Sequence, residues 1–178
     1  MNYRDIIDKY YPAEDELRRI LLAHSRQVAD RCLRISKAHP GLRLDDEFLE
    51  EAAMLHDIGI FRCHAPGIRC LGTEPYICHG IIGAELMRNE GWERHARVCE
   101  RHTGTGLSAA DIERQQLPLP RQDFVPVTLE EQVVCYADKF YSKTRPDSER
   151  TVMEAMRSLE KFGEAGILRF QKWVDMFE

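Results

Sequence analysis

The sequence predicts an all-α helical bundle. Three observations carry this reading. Apolar residues recur at three- and four-residue spacing in one segment after another, the period of a helix face. No segment sustains the period of two that a strand needs. Proline and glycine fall between the periodic stretches, where they stop helices. The chain has 178 residues, 43% hydrophobic and 31% charged, which suits one domain with an ordinary core spanning residues 1–178.

Residues 2–10 read as a short helix. Pro12 suits the first turn of the next, with Glu14, Asp15 and Glu16 at its positive end. That helix runs to about Ala38, where His39-Pro40-Gly41 stops it. Its apolar stripe holds Leu21, Val28, Cys32 and Ile35, and His24 lies on the same stripe. Asp45 or Asp46 caps a third helix that turns Phe48, Ala52 and Leu55 inward and delivers His56 and Asp57 at its end. Gly59 then lets the backbone turn. Residues 60–74 show no period and contain Pro66, Gly67 and Gly72; they read as a loop near the site carrying Arg62, His64 and Arg69.

Thr73-Glu74-Pro75 opens a further helix with His79, Ile82, Gly83 and Leu86 inward and Gly91 as its cap. Trp92 to Arg101 follows, with Val98 and Cys99 on the face of His102, and His95 two turns earlier also able to point inward. The Thr103-Gly104-Thr105-Gly106 loop offers N–H groups and hydroxyls that suit an anion or a substrate. Ser108 to Asp111 resembles a capped short helix, and the three prolines between Leu117 and Pro126 mark an irregular connector. Thr128-Leu129-Glu130-Glu131 is a capping box. The helix it opens places Val134, Asp138 and Tyr141 on one face, and an aspartate in an apolar stripe needs a partner. The tail from Ser148 reads as amphipathic helices broken near Gly163 and Gly166, with Leu168, Trp173, Val174 and Phe177 over the core and no chemistry in them.

A net charge of −5 argues against coating a nucleic-acid polymer. No apolar run approaches the ~20 residues of a membrane span. The charged N-terminus lacks an apolar signal core, so the cytoplasm is the expected compartment, with the six cysteines as free thiols. Cys63, Cys70 and Cys78 flank His64 and His79 without CxxC spacing, which gives structural zinc little support.

The inward polar residues are His24, His56, Asp57, His79, His102 and Asp138. Four histidines and two aspartates converging on one helical core need a common partner, and metal supplies it. Six ligands exceed one tetrahedral zinc and suit two ions bridged by Asp57, one of them open to water. Imidazole with carboxylate suits Fe, Mn, Co, Ni or Zn.

The order His24, His56-Asp57, His79, His102, Asp138 resembles the HD-domain superfamily of metal-dependent phosphohydrolases. The resemblance covers roughly residues 20–145, leaving 148–178 as a C-terminal helical extension. His56-Asp57-Ile58-Gly59 is similar to the HDIG signature, although Ile60 stands where many HD enzymes carry lysine. His79-Gly80 with Gly83-Ala84, His102-Thr103-Gly104 and Ala137-Asp138 are similar to bacterial hydrolases of symmetrical dinucleoside tetraphosphates. The resemblance implies an HD-type bundle in which His24, His56, Asp57 and Asp138 hold one ion and Asp57, His79 and His102 the other. Beside the bridging Asp57, the residues themselves suggest Arg101 and Lys139, which adjoin ligands, as catalytic candidates, and Arg62, Lys143 and the Thr103-Gly104 loop as candidate contacts to a small phosphorylated substrate such as a nucleotide or dinucleotide. Neither a polymer nor a membrane is an expected partner; a homodimer is compatible. A mixed-valent di-iron oxygenase shares the same ligand set, and a non-catalytic nucleotide-binding module is the third reading.

Overall fold

The computed structural model describes residues 2–146 and 148–178. It is built almost wholly of helices, as the periodicity predicts. In chain order these are α1 (Tyr3–Tyr10), α2 (Glu16–Ala38), α3 (Asp46–Leu55), α4 (His79–Asn89), α5 (Glu93–Arg101), α6 (Ala109–Arg114), α7 (Leu129–Asp138), α8 (Val152–Leu159) and α9 (Glu164–Phe177). Among the described residues the one sheet is a two-stranded hairpin, β1 (His64–Ala65) against β2 (Cys70–Leu71), antiparallel with His64 opposite Leu71. No described helix is long and apolar enough to cross a membrane.

Caps set the helix starts. Asp15 accepts from the Arg18 N–H, so α2 begins at Glu16 and Pro12 stays in the preceding connector. Asp45 accepts from the Phe48 N–H and starts α3. The capping box expected at Thr128 forms only by half. Thr128 accepts from the Glu131 N–H, but the Glu131 carboxylate turns to the Val127 N–H and the Arg101 guanidinium instead. Complete boxes form at Ser108 with Asp111 and at Thr151 with Glu154.

α2 is the central helix, with α3 and α7 packed on it and the α4–α5 pair alongside. Small residues bring that pair close: a Cβ on Gly80 would stand 2.6 Å from Cys99 O, and one on Gly83 3.3 Å from Cys99 Cβ. Gly59 serves the same end. Its φ is −83°, which any residue adopts, so freedom to turn is not what it provides. A Cβ there would overlap His79 O and stand 2.5 Å from Gly83 N. The missing side chain seats the Asp57 turn against the start of α4.

Residues 60–74 are more ordered than their sequence suggests. A single 3₁₀ turn at Ile60–Arg62 precedes the hairpin, and another at Pro66–Ile68 joins its two strands. Pro75 precedes another such turn, Tyr76–Cys78, so His79 is the first residue of α4 rather than a position along its stripe. In the tail, the break at Gly163 (φ 93°) phases α9 so that Gly166, Phe170, Trp173 and Phe177 face inward. Leu168, expected on that face, is 58% exposed and Val174 is half-buried. Phe170 takes the buried place instead, in a ring cluster with Tyr136, Phe140 and Phe177 at centroid distances of 5.0–6.1 Å. All six cysteines are free and buried. Burial pushes the thiols of Cys63 and Cys135 up to about 12.

Candidate metal centre

The six inward polar residues come from five helices and meet at one point. His24 projects from the middle of α2; His56 and Asp57 follow the end of α3; His79 begins α4; His102 follows α5; Asp138 ends α7. His24 Nε2 lies 2.9 Å from Asp138 Oδ1 and 3.3 Å from Asp57 Oδ2. His56 Nε2 lies 3.0 Å from Asp57 Oδ2 and 3.5 Å from Asp138 Oδ1. On the other side of the same carboxylate, His79 Nε2 and His102 Nε2 lie 3.4 and 3.5 Å from Asp57 Oδ1, and 2.9 Å from each other. Two sets of donor atoms result, His24/His56/Asp57/Asp138 and Asp57/His79/His102, each with its atoms within 4.8 Å of one another. Clustered imidazoles and carboxylates of this kind form a divalent-metal site.

Local backbone prepares the imidazoles. His56, His79 and His102 each donate Nδ1–H to the carbonyl three residues back, Ala53 O (2.6 Å), Tyr76 O (2.6 Å) and Cys99 O (2.7 Å). That bond fixes the tautomer and turns the Nε2 lone pair into the cluster. The Tyr76 ring also stacks on His79 at 4.7 Å. His24 has no such carbonyl within reach, and its buried Nδ1 has no hydrogen-bond partner. His56 Nε2 and both Asp57 oxygens are likewise buried without a well-directed hydrogen bond. Of these, His56 Nε2 and Asp57 Oδ1 face the centre of the cluster, where such atoms are costly unless a cation takes them, so the residues fit a metal.

The charges agree. Burial alone would raise the Asp57 pKa, but Lys143 Nζ at 2.5 Å from Oδ2, with His56, holds it well below the usual carboxylate range. Asp138 is held down against the same burial by Lys139, whose Nζ lies 2.6 Å from Oδ2. Burial and the facing His102 push His79 down to about 3, and burial lowers His102. Both present neutral imidazole, the metal-binding form. His56 moves the other way, to about 9: burial opposes the shift, and the Asp57 and Asp138 charges override it, so without a metal its Nε2 carries a proton that an incoming cation displaces.

A cavity of about 660 Å³ opens over the cluster. His24, His79, His102 and Asp138 line it, with His56 and Asp57 fully buried beneath. Thr103, Gly104, Lys139 and Lys143 also line it. Arg62 and Arg101, expected at the phosphate, do not. Arg62 reaches outward to Glu85 at 3.4 Å. Arg101 adjoins His102 in sequence, but at the helix end it turns to the buried Glu131 at 2.9 Å. His95 points inward as its stripe allows, yet meets Glu51 at 3.2 Å and the rings of Phe48 and Trp92, away from the cluster. The tail, read as devoid of chemistry, supplies Arg150, Ser158, Leu159, Lys161 and Phe162 to the cavity wall. Sequence carries one trace of this, the Thr151–Glu154 box that starts α8.

Residues 21–142 match the HD domain family. An uncharacterized protein of Methanocaldococcus jannaschii is 34% identical over 131 residues, 68% of this chain and 70% of that protein. A tRNA (cytidine(56)-2'-O)-methyltransferase of Picrophilus torridus is 32% identical over 155 residues, 82% of this chain and 40% of its own length. A protein of the same name from Thermoplasma volcanium is 30% identical over 139 residues, 78% of this chain and 35% of its own length. The chain thus spans less than half of those two relatives. No solved structure matches it.

Proposed function

The chain belongs to the HD domain family, and from that premise we propose that it is a phosphohydrolase with two divalent ions, acting on a small phosphorylated substrate, a nucleotide or dinucleotide. The observation that carries the reading is the division of labour at Asp57. Oδ2 faces His24 and His56, and Oδ1 faces His79 and His102. A carboxylate so placed serves two ligand sets at once. When bound, the ions supply a water of near-neutral pKa and offset charge on the phosphoryl group.

The chain's own residues do the rest. The carbonyls of Ala53, Tyr76 and Cys99 hold three imidazoles in the ligating tautomer. Lys139 and Lys143 stand beside the acids at the cavity surface, where they bind phosphate oxygens. Thr103 and Gly104 border the same space. A cavity of about 660 Å³ suits a small molecule, and the net charge of −5 disfavours a long polyanion. The similarity of the His79-Gly80, His102-Thr103-Gly104 and Ala137-Asp138 segments to dinucleoside-tetraphosphate hydrolases supports a dinucleotide.

Metal analysis followed by a panel of nucleotides, dinucleotides and phosphomonoesters with Mn, Fe, Co, Ni or Zn tests the reading. The expected result is two ions per chain and metal-dependent phosphate release. Oxygen consumption by an iron-loaded protein that releases no phosphate would replace it with the oxygenase reading, which the same donor set accommodates. Full metal loading with no turnover would make the protein a binding module.

A further inference from the structure

We propose that the segment Arg150–Phe162 forms the subsite that selects the group attached to the phosphate, and that this group is a nucleoside whose base rests against Phe162 and Ile77. The inference rests on the phosphohydrolase reading only for where the phosphate sits. The segment lies outside residues 21–142, so this wall is built by the part of the chain beyond the family match. It nonetheless lines the same cavity as His79, His102 and Asp138.

Three features make it a built site. The first is distance. The Phe162 ring lies on Gly104, where a Cβ would stand 3.1 Å from the ring. Gly104 is two residues beyond His102, at most ~7 Å away along the chain. The ring therefore packs on the loop that leaves a residue of the cluster, and both border the same cavity. The second is rigidity. Thr105 Oγ1 donates to Gly166 O at 3.1 Å, and Arg169 Nη1 donates to Thr105 O at 2.8 Å, so the loop after His102 and the C-terminal helices are latched together. A preformed wall spends little free energy on ordering when a ligand arrives. The third is chemistry. Ile77 and Phe162 are half-buried and apolar and offer nothing to inorganic phosphate, whereas a flat base gains from contact with an aromatic and aliphatic surface. Lys161 Nζ lies 5.0 Å from the Phe162 ring centroid and makes no ion pair among the described residues, which leaves its charge free for an anionic part of the ligand.

The test is calorimetric titration in manganese buffer with the non-hydrolysable α,β-methylene analogue of ADP and with methylenediphosphonate, which lacks the sugar and the base, the Phe162 variants then separating the base from the sugar. The wild type should bind the adenosine analogue at least about 10-fold more tightly. Phe162→Ala should erase most of that advantage, and Phe162→Trp should keep it. Phe162→Leu, which preserves apolar bulk and folding, should give an intermediate loss. Equal binding of the two ligands by the wild type, or an undiminished advantage in both Phe162→Ala and Phe162→Leu, overturns the proposal. A protein that shows the predicted binding but splits no phosphoester refutes the hydrolase reading and leaves the subsite standing. Metal-dependent hydrolysis with no preference for the base does the reverse.

Discussion

The floor of the cavity and its C-terminal wall are built by different means. On the floor, His56, Asp57, His79, His102 and Asp138 stand at helix ends. Helix ends have unpaired carbonyls, and the Nδ1–H groups of His56 and His102 cap two of them, Ala53 O and Cys99 O. The local fold that places His56, His79 and His102 also sets their tautomer. The wall has no such local logic. Phe162 and Lys161 reach the cavity because α9 packs on α7 through Phe170 and Tyr136, and because Arg169 and Thr105 tie the two regions. Local hydrogen bonding makes the floor, and long-range packing makes the wall. Substitutions in the floor should therefore remove chemistry, and substitutions in the wall should alter selectivity.

The largest expected effect is at the point the two ligand sets share. Asp57→Asn should lose detectable turnover and hold at most one ion per chain, because an amide cannot bridge two cations. It should also destabilise the metal-free protein by about 3 kcal/mol, since Lys143 loses its buried counter-charge. Metal analysis and urea unfolding check both, and a variant that retains two ions would refute the bridging role.

Next comes Gly59→Ala. The added methyl meets the backbone at His79 and Gly83, which should cost about 3 kcal/mol and separate Asp57 from His79. A variant with unchanged Tm and metal content would show that the close approach is dispensable.

A smaller effect separates positioning of the fold from catalysis. Arg101→Ala should cost about 1–3 kcal/mol in stability, because Glu131 is left buried with only the Val127 N–H. Its kcat/KM should stay within about twofold of wild type; a hundredfold loss would return Arg101 to the phosphate.

The smallest belongs to the wall. Arg169→Ala removes the latch to Thr105 and should cost about 1–2 kcal/mol. Its kcat/KM should fall several-fold more for nucleotides than for tripolyphosphate. An equal fall for both would place the latch in general stability alone.

Much of the floor was readable from residue spacing. His24 shares a helical stripe with Leu21 and Val28, and His56-Asp57 ends another; a period of 3.6 turns such positions inward whatever the neighbours are. Arg101 shows where adjacency misleads. It is next to His102 in the chain, yet the helical turn swings it about 100° away, to Glu131. Glu131 looked like half of a capping box, and only the fold reveals its second task.

By itself, then, the sequence determined most of the helices and which histidines and aspartates of the cluster turn inward, because these follow from interactions within a turn or two of helix. Only the tertiary structure decided that Asp57 divides its oxygens between two histidine pairs, that Gly59 matters for its missing side chain rather than its freedom, and that residues 150–162 wall the cavity. Each of those depends on how separate helices pack, and packing is set by the sum of many weak contacts between residues far apart in the chain.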